Sequence, residues 1–460
     1  MSIPNHMSGF ERRVAFLLAG IFSTRMLGLF MILPVFALYA KQIEGYTPFL
    51  TGLALGIYGL TQAFFQIPLG LLSDRIGRKP VIIGGLLVFI IGSVVAAMAD
   101  NMWGVILGRG LQGAGAIASA VMALAADLTR EEHRVKVMAL IGISIGASFA
   151  VALVIGPLIH GWAGISGIFW FTAILAMVGV VLVVSKVPKP AVSRFRRDAQ
   201  VEMDWIGQAL SHPQLLRLDL SIFILHFILM ASFVVMPEFL AAQFTADVAS
   251  HWKVYLPVLL LSMVVVSPFI FLAEKKQYIK QLLIAAIGLV ALTQLAFFQF
   301  AASFAGLAFL LLLFFIAFNL LEALLPSLVS KMAPAAHKGT AMGAYSTSQF
   351  FGVFLGGIGG GWCVSQWGNE SVFLMNMTLA LVWLGLILGM TQPDYHSSYL
   401  LNVGVMDEQR AKQIATQLTG ITGVVEALVI AAEGVAYLKV DLDELDLDAL
   451  TAYSVSPSEV

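Results

Sequence analysis

The sequence predicts an all-α membrane protein of twelve transmembrane helices in two six-helix repeats, followed by a small C-terminal α+β domain of βαββα order. Three observations carry this. First, the 460 residues are 59% hydrophobic and only 12% charged, with a mean hydropathy of +0.90, whereas a soluble domain carries about 25% charged residues. Second, apolar stretches of about 20 residues, enough to cross a bilayer, recur along the chain up to residue 391. Third, residues 1–393 hold 23 basic and 16 acidic residues, while residues 394–460 hold 3 and 11. Such a break marks a domain boundary.

The expected spans are 14–40, 49–72, 80–99, 102–127, 136–160, 167–187, 218–240, 254–273, 281–300, 304–330, 339–363 and 371–391. They fall six and six around a polar connection, 188–213, with the basic run Lys186, Lys189, Arg194, Arg196, Arg197 at its start. The expected units are a first half over 1–190, a cytoplasmic linker over 191–213, a second half over 214–393 and a C-terminal domain over 395–455. Lysine and arginine collect on cytoplasmic segments. With both termini inside, 19 of the 26 basic residues lie on cytoplasmic segments and only Lys41 and Lys253 on the opposite face. The polar stretch Met1 to Arg13 runs directly into span 1, so no cleavable signal is expected.

The halves read as a repeat. Asp127 and Arg134 bracket the loop after span 4, and Lys331 and Lys338 bracket the loop after span 10 at the same spacing. Met138 matches Met342 and Gly156 matches Gly360 at the same offset of 204. Repeats of this kind place substrate near the midplane between the halves.

Beyond residue 399 the pattern shortens. Tyr399–Val405 reads as a strand, Asp407–Leu418 as an amphipathic helix, Val424–Ile430 and Val435–Val440 as a hairpin about Glu433-Gly434, and Leu445–Tyr453 as a second helix. This is a ferredoxin-like βαββα pattern. It has no cysteine, so thiolate metal binding is not expected. The only cysteine of the chain, Cys363, reads as a small apolar filler.

The chemistry begins at Gly70-Leu71-Leu72-Ser73-Asp74-Arg75-Ile76-Gly77-Arg78-Lys79, a charged turn between two apolar spans. Gly77 permits the backbone reversal. Arg75, Arg78 and Lys79 suit a cytoplasmic loop. Asp74 needs a partner such as Arg78, and Asp127, ending span 4 on the same face, is a second partner. Either this is a solvated topogenic loop, or it is a charge latch that holds one conformation and breaks in another.

Inside the spans lie Arg25, Arg109, His226 and Glu322. Such residues are costly and usually functional. Glu322 and His226 suit proton carriage. Arg25 suits structural pairing or the same proton path, and Arg109 suits steering of the proton or pairing with Glu322 across the repeat. Tyr58, Gln62 and Gln66 recur one helical turn apart in span 2, as cavity lining or interhelical glue. Phe30 and Met31, with Phe350 and Phe351, are candidates for an apolar cavity wall. Gly352, Gly356, Gly357 and Gly359 to Gly361 allow span 11 to approach a neighbour closely. His160 and Glu238 fall near the outer ends, where solvation is expected.

These residues carry a resemblance. Gly70, Asp74, Arg75, Gly77, Arg78 and Lys79 resemble motif A of the major facilitator superfamily. Arg109-Gly110-Leu111-Gln112-Gly113-Ala114-Gly115 resembles motif B. Gly156-Pro157, preceded by Gly142 and Gly146, resembles the antiporter motif C, with Ala152 and His160-Gly161 where that motif carries further glycines. Residues 1–393 are similar to the twelve-span drug:proton antiporters. Residues 318–327, Tyr345-Ser346-Thr347-Ser348-Gln349 and the tail are similar to a bacterial member with a C-terminal ferredoxin-like domain. The resemblance implies a multi-pass, monomeric protein of the bacterial inner membrane that exports a small amphipathic solute or drug in exchange for protons. Asn319, Tyr345 and Gln349 then join the substrate cavity. No cofactor, metal or nucleic acid is implied, and no nucleotide loop or nucleophile–base pair marks an enzyme. A solute:proton symporter of the same fold, and a transporter-like receptor with the tail as output, remain open.

Overall fold

The computed structural model describes residues 7–188, 207, 211–243, 250–276, 278–300, 303–334, 337–391, 397–431, 433–441 and 444–455. The basic run from Lys189 to Arg197 and most of the 191–213 linker lie outside these residues.

The first half runs through α1 (Gly9–Phe30), α2 (Phe36–Tyr39), α3 (Pro48–Ile76), α4 (Arg78–Ala97), α5 (Met102–Ala114), α6 (Ala118–Asp127) and α7 (Glu131–Ser185). The second runs through α8 (Pro213–Gln243), α9 (Trp252–Lys276), α10 (Ile279–Phe300), α11 (Phe304–Met332), α12 (Lys338–Trp367) and α13 (Ser371–Leu388). Among the described residues ten helices are long and apolar enough to cross a membrane, counting Met102–Asp127 as one and Lys136–Ser185 as one. The latter contains a break at Gly164 and so holds two helical arms; the 30-residue α12 is long enough to span but is not among the ten.

Local chemistry sets the ends. Ser8, Thr47, Asn101 and Ser303 each accept a first-turn backbone N–H of the helix they precede, the usual work of an N-cap. Pro48 follows Thr47 at the first helical position, where its missing N–H costs nothing.

Four expected spans differ from the sequence reading. Span 1 is not one helix over 14–40: α1 ends at Phe30, and turns lead to α2. Pro34 lies in that break; it has no N–H to continue the ladder and disfavours helical backbone at Leu33. Span 4 divides into α5 and α6 at Gly115, where a side chain would meet the backbone of Gly85 on α4. Spans 5 and 6 are joined with no six-residue loop. The chain reverses at Gly164, whose φ of +67° is open to glycine. The two arms of α7 show the reversal. Gly156 packs on Met31 of α1, whereas Ser166 Oγ donates to Ala97 O at one end of α4 and Lys79 Nζ donates to Val187 O at the other.

The packing repeats between halves. A side chain at Gly156 would strike the backbone of Met31, and one at Gly360 the backbone of Ala231. The same close crossing therefore joins the first and fifth spans of each half. α12 also approaches α3 of the other half. Gly52, Gly56 and Gly59 lie against Gly357, Phe354 and Phe350, and Gly361 lies against Pro48. These contacts occupy the half of α3 remote from the Gly70–Lys79 turn. That end, the far face, is closed.

The C-terminal unit is β1 (Ser397–Asn402), α14 (Glu408–Thr419), β2 (Val424–Ile430), β3 (Val435–Val440) and α15 (Leu447–Thr451). Its sheet order is β1-β3-β2, with β3 antiparallel to both neighbours. Ala411, Ile414 and Leu418 of α14 pack with Leu401, Val429, Ala436 and Leu438 over one face.

Candidate functional site

The charged turn builds a compact cluster at the start of α4. Gly77 takes φ +98°, a conformation that L side chains avoid. This turns Arg78 back beneath α3. Its guanidinium is almost wholly buried and pairs with Asp74; Nη1 also donates to Ser73 Oγ at 2.8 Å and Nε to Asp127 Oδ2 at 3.2 Å. Gly70 lets α3 lie on Ser119 of α6, which brings Asp127 within reach. Lys79 caps the end of α7, and Arg75 is exposed. Asp74, Arg78 and Asp127 thus converge, all within the first half. A further pair that the sequence reading missed stands on the same face. Glu11 receives two hydrogen bonds of 3.0 Å from the Arg130 guanidinium, tying the start of α1 to the loop before α7. Only the capping-box spacing Ser8–Glu11 hinted at it.

The interior of the first half holds a second polar group. Arg25 and Arg109 are fully buried. Arg25 Nη2 donates to Gln62 Oε1, and Gln62 Nε2 donates to Gln66 Oε1 at 3.1 Å. Arg109 Nη1 donates to Gln112 Oε1 at 2.9 Å, and Gln112 Nε2 donates to Ser93 Oγ at 2.9 Å. Tyr58 lies between the two arginines, its ring centroid 5.5 Å from one guanidinium and 5.2 Å from the other. Pairing of Arg109 with Glu322 across the repeat does not occur here. Gln112, one turn away on the same helix, takes that place.

The interior of the second half is acidic. Glu322 on α11, His226 on α8 and Gln349 on α12 meet. Gln349 Nε2 lies 2.8 Å from His226 Nε2 and 3.5 Å from Glu322 Oε1, and His226 Nε2 lies 3.9 Å from Glu322 Oε2. His226 Nδ1 is 3.2 Å from Ile222 O. A proton on Nδ1 satisfies that carbonyl and leaves Nε2 to accept from Gln349. Asp219 is also buried on α8. The sequence reading passed over Asp219 because it falls at the edge of a span, where an acid is unremarkable. Asn319, one turn from Glu322, instead donates to Ser262 Oγ at 2.8 Å.

The seam between halves is aromatic. Phe30 packs edge-on to Phe149 at 5.1 Å, and Phe149 contacts Phe315 and Phe233 of the second half. Tyr58 meets Phe350 at 6.5 Å. Met31 is not a cavity wall. It is fully buried with Ala152, Ile159 and Ile168, because the proline break turns it onto Gly156. Pro157 follows within α7. At the far face Glu238 is held rather than solvated: Lys41 Nζ lies 3.0 Å from it and Asn369 Nδ2 donates to it at 2.9 Å. His160 stacks on Tyr39 at 3.5 Å. No group of three or more His, Cys, Asp or Glu suited to a metal occurs among the described residues.

Comparisons with known proteins agree with this architecture. The family model described as Major Facilitator Superfamily matches residues 18–357 and 218–402. The chain is 47% identical over 436 residues to the inner membrane transport protein YajR of Escherichia coli K12, covering 94% of each. It is 38% identical over 352 residues to an uncharacterized transporter of Buchnera aphidicola, covering 76% of this chain and 90% of that one. Among solved structures, an inward-facing bacterial homologue of the human lysosomal transporter Spinster superposes with a TM-score of 0.66 at 13% identity, covering 83% of this chain and 97% of that one. With its multiple spans and its small mixed α/β tail, the chain belongs to the major facilitator superfamily and is a membrane transporter, not an enzyme.

Proposed function

We propose that this chain is a proton-coupled secondary transporter of a small amphipathic solute, working by alternating access, with Glu322 as the proton carrier. One observation carries the reading: a carboxyl in the membrane interior joined through Gln349 to His226, each on a different helix of the second half. Such a carboxyl and imidazole can exchange a proton with little movement. The two halves supply the rocking bodies, with substrate held between them. The Gly70–Lys79 turn serves as the cytoplasmic latch. On this reading both termini are cytoplasmic and the protein is a monomer of the bacterial inner membrane.

Two exchange modes fit this frame. Export by antiport is supported by the arginine-bearing glycine motif on α5 and by Gly156-Pro157. Symport is supported by the positive charge of Arg25 and Arg109, since an anion bound near Glu322 favours its protonated form. The test is proton movement in proteoliposomes carrying a pH-sensitive dye, across a panel of amphipathic cations, anions and neutral compounds. At least one compound should drive proton movement, and Glu322→Gln should bind that compound without moving protons. A mutant that keeps normal proton movement would refute the assignment.

A further inference from the structure

Away from the charged groups at its turn face, the first half buries Arg25 and Arg109 deep in its spans, and no buried acid among the described residues accompanies them there. Arg25 and Arg109 are both fully buried, and no carboxylate among the described residues forms an ion pair with either. Glu11, Asp74 and Asp127 stand on the turn face of this half, and Glu44 and Asp100 on the other. Their donors are also incompletely used. Arg25 Nε and Nη1, Arg109 Nη2 and the Tyr58 hydroxyl are buried without a hydrogen-bond partner. Both guanidiniums lie within 5.5 Å of the Tyr58 ring, so the unused donors surround one residue. An intramembrane arginine normally finds a partner, and a buried charge without one is strongly unfavourable. Here two like charges share one site, so packing alone does not account for the arrangement.

From this cluster we infer an anion-binding site, and we assign the transported solute to the amphipathic organic anions. The guanidinium fork matches a carboxylate, phosphate or sulfonate oxygen pair, and the Tyr58 hydroxyl adds a third donor. Tyr58 also touches Phe350 of the second half, so the site reaches the seam where transported solute is held. The Phe30–Phe149–Phe315 contacts along that seam suit an apolar body behind the charged head. Gln62 holds Arg25, and Gln112 together with the Ala54 carbonyl holds Arg109, leaving Arg25 Nε and Nη1 and Arg109 Nη2 for the ligand.

This inference rests on the transporter reading but not on the proton assignment. The experiment measures binding to the full chain in lipid nanodiscs by calorimetry, with 2-naphthoate, its neutral analogue 2-naphthamide and the cation 2-naphthylmethylammonium. Charge-assisted hydrogen bonds are roughly twice as strong as neutral ones, so naphthoate should bind about tenfold or more tightly than the amide. Arg25→Gln should erase that preference and Arg25→Lys should keep part of it. The wild-type comparison stands even if a variant fails to fold. No naphthoate binding, or equal affinity for the three probes, overturns the anion site. Charge-selective binding with a normal proton response in Glu322→Gln keeps the anion site and rejects the proton carrier. Proton movement driven only by the cation, with no naphthoate preference, does the reverse.

Discussion

Replacing Gly56 by alanine tests how tightly the far face is closed. An added methyl would lie 2.7 Å from the Phe354 carbonyl oxygen and 3.2 Å from its Cα, where ordinary contact begins at 3.4 Å. The obstructing atoms are backbone, so no side chain can swing aside. α3 and α12 must part by about 0.7 Å at this point, and the Gly52–Gly357 and Gly361–Pro48 contacts on the same seam loosen with them. Overpacking of this kind costs about 1–3 kcal/mol. It falls only on the state in which the seam is closed, so about 2 kcal/mol shifts the ratio of closed to open far face by roughly 30-fold. Spin labels at Glu44→Cys and Gln366→Cys, both exposed on that face, in a Cys363→Ala background, report the distance across it. The variant should gain a longer-distance population that wild type lacks. Identical distance distributions with unchanged transport would show that the seam does not control the far face.

Three further outcomes are expected. Transport by the wild type should vary with pH across the neutral range, while Glu322→Gln should give a flat profile in the same proteoliposome assay; an unaltered profile moves the proton site to His226 or Asp219. Arg78→Ala should reduce transport strongly while insertion persists, because the buried Asp127 loses a guanidinium whose removal costs about 3–5 kcal/mol, and Arg78→Ala with Asp127→Asn should recover part of the thermal stability; equal stability of single and double variants would break the link. Truncation after residue 393 should leave a core that still transports with an altered rate or salt response, since an acidic domain docked on a basic cytoplasmic face is held weakly and screened by salt; total loss of transport in a stably inserted core would make the domain integral.

The parts of this molecule legible in its sequence are those with short-range causes. The charged turn is one, because Gly77, Arg78 and Asp74 act over a few residues and only Asp127 comes from afar. The βαββα order is another, since strand and helix periodicities differ. The broken first span was not read, although Pro34 stands in it, because apolar composition is blind to a lost hydrogen bond. For Arg109 the sequence leaves open proton steering or pairing with Glu322. Two charges inside a membrane invite pairing, but Gln112 is one turn away on the same helix and wins by proximity. Glu238 was placed in solvent because its partners, Lys41 and Asn369, lie 197 and 131 residues away in the chain. Long-range partners of this kind are fixed by the tertiary fold alone.

The two interiors together make a last prediction about the sign of proton coupling. Gln349, which touches Glu322 and His226, is the residue before Phe350, which touches Tyr58. The positive site of the first half and the acidic site of the second therefore meet at consecutive residues of α12. An anion held by Arg25 and Arg109 places negative charge on the first-half side of the seam, next to the Tyr58–Phe350 contact and one residue along α12 from Gln349. A neighbouring like charge disfavours the ionised carboxyl, so anion binding should draw a proton in, and a proton on Glu322 should in turn strengthen anion binding by the same factor. A cation bound at the same seam should do the opposite and expel the proton. Antiport needs release on binding and symport needs uptake, so the mode follows from the charge of the solute. The measurement is proton exchange on adding 2-naphthoate to the nanodisc protein, taken as the difference in binding heat between buffers of unlike ionisation enthalpy. Uptake that disappears in Glu322→Gln is the expected result. Release of a proton by the anion would show that conformational change, not direct electrostatics, sets the coupling.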